Sequence, residues 1–162
     1  AAESESPDLQ LRFLPARAVT PDGMNSFAKF RETRDLPDGF TLQCIAARPH
    51  SRGRVRLASA SAADKPLIEG GYLQDGRDLA TLREGLRLAR SIAGQKDFAE
   101  YRRCEKFPGP ALQTDAELDE YIRSTVHTAN ACVGTCRMGS AGDPLAVCDE
   151  ELRVLGVSGL RV

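Results

Sequence analysis

The chain has 162 residues and a formal net charge of −1, and 41% of its residues are hydrophobic while 28% are charged. This length and composition are typical of one ordinary globular domain. The nearly balanced charge disfavours a general nucleic-acid binder, which needs an excess of basic residues to neutralise phosphates. The apolar runs are far shorter than the about 20 residues of a membrane-spanning helix, so no transmembrane segment is expected.

The first half of the chain is predicted to form strands. Residues 1–6 are small and acidic, so we expect them to fray. Apolar and polar residues alternate in 9–14, 41–47 and 54–57, and this period of two is typical of strands. A turn containing glycine separates the last two runs, which predicts an antiparallel hairpin between them. Two Pro-Asp-Gly turns frame residues 20–39, which we expect to form a lid-like excursion.

The second half is predicted to be mainly helical. Leucines and alanines recur every three or four residues over 76–93, which predicts an amphipathic helix. Thr114 and Glu117 form a capping box that begins a second helix. Short strand-like runs follow at 152–154 and 160–162. The fold class is therefore α+β, with an antiparallel-rich mixed sheet and helices on one face.

The metal-ligating residues are few. The chain contains five cysteines and two histidines, and it lacks a Cys-x-x-Cys pair. Cys132 and Cys136 would share a helix face, but no second pair is placed to complete a zinc site. We therefore expect no metal and interpret the thiols as small hydrophobic residues.

The polar stretch 127–139 is the first candidate for chemistry. His127 and Asn130 are three residues apart near the expected end of the second helix, so both side chains could reach one cavity. Such a pair can donate hydrogen bonds and move a proton near neutral pH. The alternative is that His127 only screens the helix C-terminus, where a cation is favoured.

Two strand residues are further candidates. Arg12 could anchor a carboxylate because its planar guanidinium binds both oxygens at once. Its alternative is a surface arginine that pairs with a nearby acid. Gln43 lies within an apolar strand, so its amide either bonds neighbouring backbone or faces a ligand.

Two stretches resemble the C-terminal part of the glucose–methanol–choline (GMC) flavoprotein oxidoreductases. They comprise Ser51–Leu57, Lys65–Ile68 and Gly71–Leu73, followed later by Val133–Gly139, Asp143–Val147 and Leu152–Val162. The resemblance implies that residues 7–162 form the family's substrate-binding domain, incomplete at both ends. It also implies that FAD is bound mainly by a separate domain whose Gly-rich fingerprint does not occur here. The fragment alone is then not expected to be active.

The region before Val133 departs from the pattern of the alcohol-oxidising members of the family. Those members have a catalytic His followed by Pro where this chain has Ala131 and Cys132. The His-x-x-Asn-Ala arrangement here is instead similar to the algal fatty acid photodecarboxylases, a chloroplast branch of the family. That branch implies light-driven, FAD-dependent decarboxylation of a fatty acid to a hydrocarbon, a lyase reaction of lipid metabolism.

The resemblance also implies roles for single residues. The implied catalytic residues are His127, Asn130 and Arg12; the implied substrate-binding residues are Arg12, Phe27 and Gln43; the implied cofactor contacts are Asn130 and Ala131. Phe27 stands where the branch would have tyrosine, which removes one hydrogen bond.

Two alternatives remain open at this point. One is a dark FAD-dependent alcohol oxidase or dehydrogenase that uses His127 as its base on another small-molecule substrate. The other is a truncated, non-catalytic domain that binds lipid.

Overall fold

The computed structural model describes residues 6–23, 38–131, 133–140 and 142–162. The strands and helices are β1 (Leu9–Leu14), β2 (Thr41–Ala46), β3 (Arg54–Arg56), β4 (Leu67–Glu69), α1 (Gly76–Ala93), a 3₁₀ turn (Lys96–Phe98) and α2 (Asp115–Thr125). Antiparallel strands combined with helices confirm the α+β class. The described strands form two separate two-stranded sheets instead of one larger sheet.

The chain divides into two compact units. The first comprises Ala1–Arg52 and Gly71–His127, and the second comprises Gly53–Gly70 and Thr128–Val162. Residues 1–5, which were expected to fray, lie outside the described residues. The assignment of 7–162 to a single substrate-binding domain stays a prediction.

The first unit is built on the ribbon of β1 and β2. The strands are antiparallel, with a register that runs from Leu9 opposite Ala46 to Leu14 opposite Thr41. Because side chains alternate along each strand, Leu9 shares one face of the ribbon with Cys44. Helix α1 packs on this face so closely that a Cβ built on Gly85 would lie 2.7 Å from Leu9 Cδ1. The opposite face of the ribbon points away from α1.

The predicted hairpin between 41–47 and 54–57 is wrong. Strand β2 pairs with β1, while β3 pairs with β4. After β2 the backbone N–H groups of His50 and Ser51 donate to the buried carboxylate of Asp78, at 2.7 and 2.8 Å. These bonds hold the chain against the start of α1 and prevent an immediate return along β2. All three residues of β3 are exposed, so their alternation carried no information about a buried face.

Both predicted helices are confirmed. Helix α1 covers the predicted range, and Leu79 and Ala89 are buried on its inner side. The capping box begins α2, since Thr114 accepts from the backbone of Glu117 and the Glu117 carboxylate accepts from the backbone of Thr114. The buried residues Leu118 and Ile122 anchor α2. Because α2 ends at Thr125, His127 lies just beyond it.

The second unit contains the β3–β4 ribbon and a segment of short bridges. Isolated bridges join Cys148 to Met138 and to Val154, and a further bridge joins Arg153 to Arg161. The strand-like runs at 152–154 and 160–162 therefore pair by one bridge only. Cys148 is 1% exposed and is the one buried hydrophobic residue among the described residues of this unit. Among the described residues of both units, no helix combines the length and the apolarity needed to cross a membrane.

Candidate functional site

Arg12 and Gln43 are brought together by the register of the ribbon. They lie directly opposite each other on β1 and β2. Opposite residues of an antiparallel pair point to the same face, and here it is the face turned away from α1. Arg12 is exposed and Gln43 is half-buried. Together they place a guanidinium and an amide side by side on this face of the ribbon.

The alternatives for these two residues can be compared with their contacts. Among the described residues, no carboxylate forms an ion pair with Arg12, and no hydrogen bond is made by the side chain of Gln43. The contacts of the described residues therefore do not support the interpretation of Arg12 as a surface arginine that pairs with a nearby acid. Guanidinium and amide N–H groups that lie together can donate to the same carboxylate.

His127 is held by a turn near the start of the chain. Its Nε2 lies 2.8 Å from the backbone oxygen of Asp22. That turn is closed by the Gly23 N–H, which donates to the Thr20 oxygen at 3.0 Å. The hydrogen bond of Nε2 thus goes to a distant loop instead of the last turn of α2. It ties Nε2 of His127 to residues 20–23.

Tyr121 contacts the same turn, and the sequence analysis did not single it out. Its hydroxyl donates to the Pro21 oxygen at 2.9 Å. Burial raises the pKa of Tyr121, and a hydrogen bond with Thr125 opposes this only in part, so the phenol is a neutral donor at physiological pH. A half-buried tyrosine usually finds a partner for its hydroxyl, but the sequence alone does not indicate that Tyr121 is half-buried or that Pro21 is its partner.

Asn130 and Ala131 belong to the second unit and are both exposed. Asn130 has a φ of 61°, a left-handed conformation that asparagine tolerates better than most residues. Its backbone N–H donates to Thr128 Oγ1 at 2.9 Å. Helix α2 ends at Thr125, so His127 lies near its end as expected, but neither His127 nor Asn130 is helical and helical spacing does not relate them. That the two side chains reach one cavity stays a prediction.

The remaining predicted residue, Phe27, lies outside the described residues, as does most of the 20–39 excursion. On its C-terminal side Phe40 is well anchored. The Phe40 ring lies 5.6 Å from the ring centroid of Phe13 and 5.2 Å from that of Phe98. In residues 6–23, 38–131, 133–140 and 142–162, no three His, Cys, Asp or Glu side chains are grouped closely enough to hold a metal ion.

Comparison with known sequences gives consistent matches. The pattern of the family described as GMC oxidoreductase matches residues 49–162. A chloroplastic fatty acid photodecarboxylase of Chlamydomonas reinhardtii is 44% identical over 161 residues, which cover 96% of this chain and 26% of that protein. An oxygen-dependent choline dehydrogenase of Brucella ovis is 42% identical over 158 residues, which cover 98% of this chain and 27% of that protein.

Solved structures agree with this. Pyridoxine 4-oxidase from Mesorbium loti matches with a TM-score of 0.64 and 37% identity, over 71% of this chain and 22% of that one. An FAD-dependent oxidoreductase from Chaetomium thermophilum matches with a TM-score of 0.67 and 27% identity, over 85% of this chain and 25% of that one. The chain spans about a quarter of the length of the proteins it matches.

Proposed function

The chain belongs to the GMC oxidoreductase family, and from that premise we propose that it is part of an FAD-dependent enzyme that decarboxylates fatty acids in light. The bond between the carboxyl carbon and the alkyl chain breaks, carbon dioxide leaves, and the freed carbon gains a proton from solvent, so that the carboxylate gives a hydrocarbon one carbon shorter with no net gain or loss of electrons. The observation that carries the proposal is the pairing of Arg12 with Gln43 on the face of the ribbon that points away from α1. The 44% identity to the photodecarboxylase supports the same assignment.

The face of the ribbon that carries Arg12 and Gln43 suits an amphiphilic acid. Arg12 supplies a fixed positive charge that can bind both oxygens of a carboxylate, and Gln43 adds an amide N–H beside it. Leu14 and Ile45 point to the same face and flank the Arg12–Gln43 pair on its two opposite sides, because the strands are antiparallel. A carboxylate held at the polar pair would thus have one apolar side chain on each side of it. Held in this way, the substrate is oriented before any reaction begins.

The residues proposed for the cofactor fit a contact with a flavin ring. Asn130 presents an exposed amide that can both donate and accept hydrogen bonds. Ala131 follows it with only a methyl group, so a flat ring can approach the backbone there. FAD, when bound, supplies the light absorption and the one-electron chemistry of the reaction. Asn130 and Ala131 would contact only part of the cofactor. We assign the rest of the FAD site to residues outside the described part of this chain.

Ala131 also bears on the type of reaction. Alcohol oxidation needs a group that takes up the hydroxyl proton, and alanine has no group that titrates. A carboxylate substrate is already ionised at neutral pH and needs no such base. The residue at this position therefore favours an acid over an alcohol as substrate.

The test uses the complete reading frame that contains this chain, expressed with bound flavin. The protein is given palmitate under blue light and in darkness, and hydrocarbon and carbon dioxide are measured. We expect both products in light only, and Arg12→Gln to reduce the rate at low palmitate by about 10-fold or more, because a charge-assisted hydrogen bond contributes about 1.5–3 kcal/mol. Arg48→Gln, an exposed arginine after β2, is the matched control and should stay within about twofold. A flavin-loaded protein that releases no carbon dioxide in light would refute the proposal.

A dark alcohol dehydrogenase is the second candidate, favoured by the 42% identity to the choline dehydrogenase. In this case His127 would accept the substrate's hydroxyl proton. Anaerobic addition of choline and other alcohols in darkness would then bleach the flavin absorbance, and His127→Gln would abolish the bleaching. Bleaching in the wild type together with no light-driven hydrocarbon would replace the first proposal by the second.

The same proposal implies a chloroplast location. The photodecarboxylase relative is named chloroplastic, whereas the choline dehydrogenase relatives are bacterial proteins. A fluorescent fusion to the complete reading frame in its native host should coincide with chlorophyll fluorescence. A fusion outside the plastid would count against this part of the proposal.

A further inference from the structure

The turn at residues 20–23 leaves two backbone oxygens for other partners. Its closing hydrogen bond joins the Thr20 oxygen to the Gly23 N–H, as expected for a turn with proline at its second position. The carbonyl groups of Pro21 and Asp22 take no part in this bond. The Tyr121 hydroxyl lies 2.9 Å from the Pro21 oxygen, and His127 Nε2 lies 2.8 Å from the Asp22 oxygen. Two side chains from the end of α2 and just beyond it therefore hold two consecutive carbonyl groups.

The contact of His127 defines which ring nitrogen carries hydrogen. A backbone carbonyl oxygen only accepts hydrogen bonds, so Nε2 must be the donor. In the neutral imidazole the other nitrogen, Nδ1, is then unprotonated. Nδ1 is consequently the ring nitrogen that can accept a hydrogen bond or take up a proton.

We propose that Tyr121 is a positioning residue that holds the Pro21 carbonyl and thereby keeps the Asp22 carbonyl in place to fix His127 as its Nε2–H tautomer. The two carbonyl groups are joined by a single residue, so movement at the first displaces the second. Burial of Tyr121 keeps its hydroxyl protonated and able to donate. Thr125 Oγ1 donates to the backbone oxygen of Tyr121 at 2.7 Å and secures the last turn of α2.

This inference deepens the proposed function. The role of His127 toward a substrate rests on that function, whereas the tautomer of His127 does not. In the proposed function the consequence is that a proton taken up by the neutral ring goes to Nδ1, since Nε2 already carries its hydrogen. The tautomer itself is a property of the folded protein. Its measurement therefore succeeds or fails independently of any turnover.

The test is nitrogen NMR on the complete protein labelled with ¹⁵N-histidine at mildly alkaline pH. The His127 signals are assigned by their loss in His127→Gln. We expect the wild type to show one neutral tautomer with hydrogen on Nε2. Tyr121→Phe, which removes only the hydroxyl, should add the Nδ1–H form to at least about a tenth of the population, since one hydrogen bond shifts such an equilibrium by about five- to tenfold.

Two further variants separate positioning from general damage to the fold. Tyr101→Phe removes the hydroxyl of a tyrosine that is 71% exposed, and it should leave the tautomer unchanged. Gly23→Ala retains Tyr121 but strains the turn, because Gly23 has a φ of 71°. It should also mix the tautomers.

Either of two results would overturn the inference. One is hydrogen on Nδ1 in the wild type. The other is an unchanged Nε2–H form in a folded Tyr121→Phe, whatever Gly23→Ala shows. If Tyr121→Phe does not fold, an unchanged Nε2–H form in Gly23→Ala overturns the inference, because the position of the Asp22 carbonyl would then not set the tautomer.

Discussion

Arg83 on α1 donates to both carboxylate oxygens of Asp119 on α2, at 2.8 and 2.9 Å. The two side chains are only 21% and 18% exposed, so solvent screens this pair less than a surface ion pair. We expect Asp119→Asn to lower the free energy of unfolding by about 1–3 kcal/mol, because it leaves Arg83 without its main counterion. Urea unfolding measures the effect. Glu120→Gln makes the same charge change at the adjacent exposed position, and an equal loss there would contradict the prediction.

The close approach of α1 to the ribbon predicts opposite responses at two glycines. At Gly85 an added Cβ would lie 2.7 Å from Leu9 Cδ1 and 3.4 Å from Cys44 Cβ, whereas at Gly76 it would meet no atom within 4 Å. Overpacking costs about 1–3 kcal/mol, which exceeds the about 1 kcal/mol that alanine gains over glycine in a helix. Gly85→Ala should therefore lower the melting temperature, and Gly76→Ala should not. A raised melting temperature for Gly85→Ala would mean that Leu9 moves aside freely.

The Asp78 carboxylate predicts a pH dependence of stability. Burial raises its pKa, but hydrogen bonds from the Ser51 hydroxyl and from the N–H groups of His50 and Ser51 outweigh this, so the pKa lies below the ordinary value of 3.8. A depressed folded-state pKa stabilises the protein above the ordinary value, and this stabilisation is lost as the pH falls through the folded-state pKa.

Asp78→Asn should consequently lower stability at pH 7 and weaken its decline below about pH 4. Thermal unfolding between pH 2 and pH 7 measures both effects. The exposed Asp97→Asn is the matched control and should follow the wild type. Parallel curves for wild type and Asp78→Asn across the acid range would show that the carboxylate is not linked to acid unfolding.

Cysteine reactivity should follow burial. Burial raises the pKa of Cys44 to about 11, so about one thiol in a thousand is ionised at pH 8. Cys104 is exposed. Brief treatment of the folded protein with iodoacetamide should modify Cys104 and spare Cys44, as peptide mass spectrometry would show, while both should react in denaturant. Equal labelling in the folded state would place Cys44 in solvent.

The features predicted correctly from sequence are those fixed by neighbouring residues. Helix α1 follows from apolar spacing, and the Thr114–Glu117 capping box needs only one turn of chain. The pairing of strands depends on distant residues, and the predicted hairpin failed for this reason. Alternation in 54–57 indicated a strand, but it contained no information on the partner.

In the candidate site, too, the chemistry of single residues was predictable from the sequence, but contacts between distant residues were not. Arg12 and Gln43 were each chosen for their chemistry, but only the register of β1 and β2 shows that they are neighbours. Tyr121 and Pro21 are 100 residues apart in the chain. No local pattern connects them, because the contact exists only after α2 has packed.

The family pattern begins at residue 49, whereas the ribbon that α1 covers lies entirely before that point. Exchange of domains between relatives at this boundary would place α1 of one protein on the ribbon of another. The close packing of Gly85 against Leu9 would then involve residues from two different proteins that were not selected to fit each other. A chimera that is to remain stable should instead be joined ahead of Leu9, so that the ribbon and α1 come from the same protein.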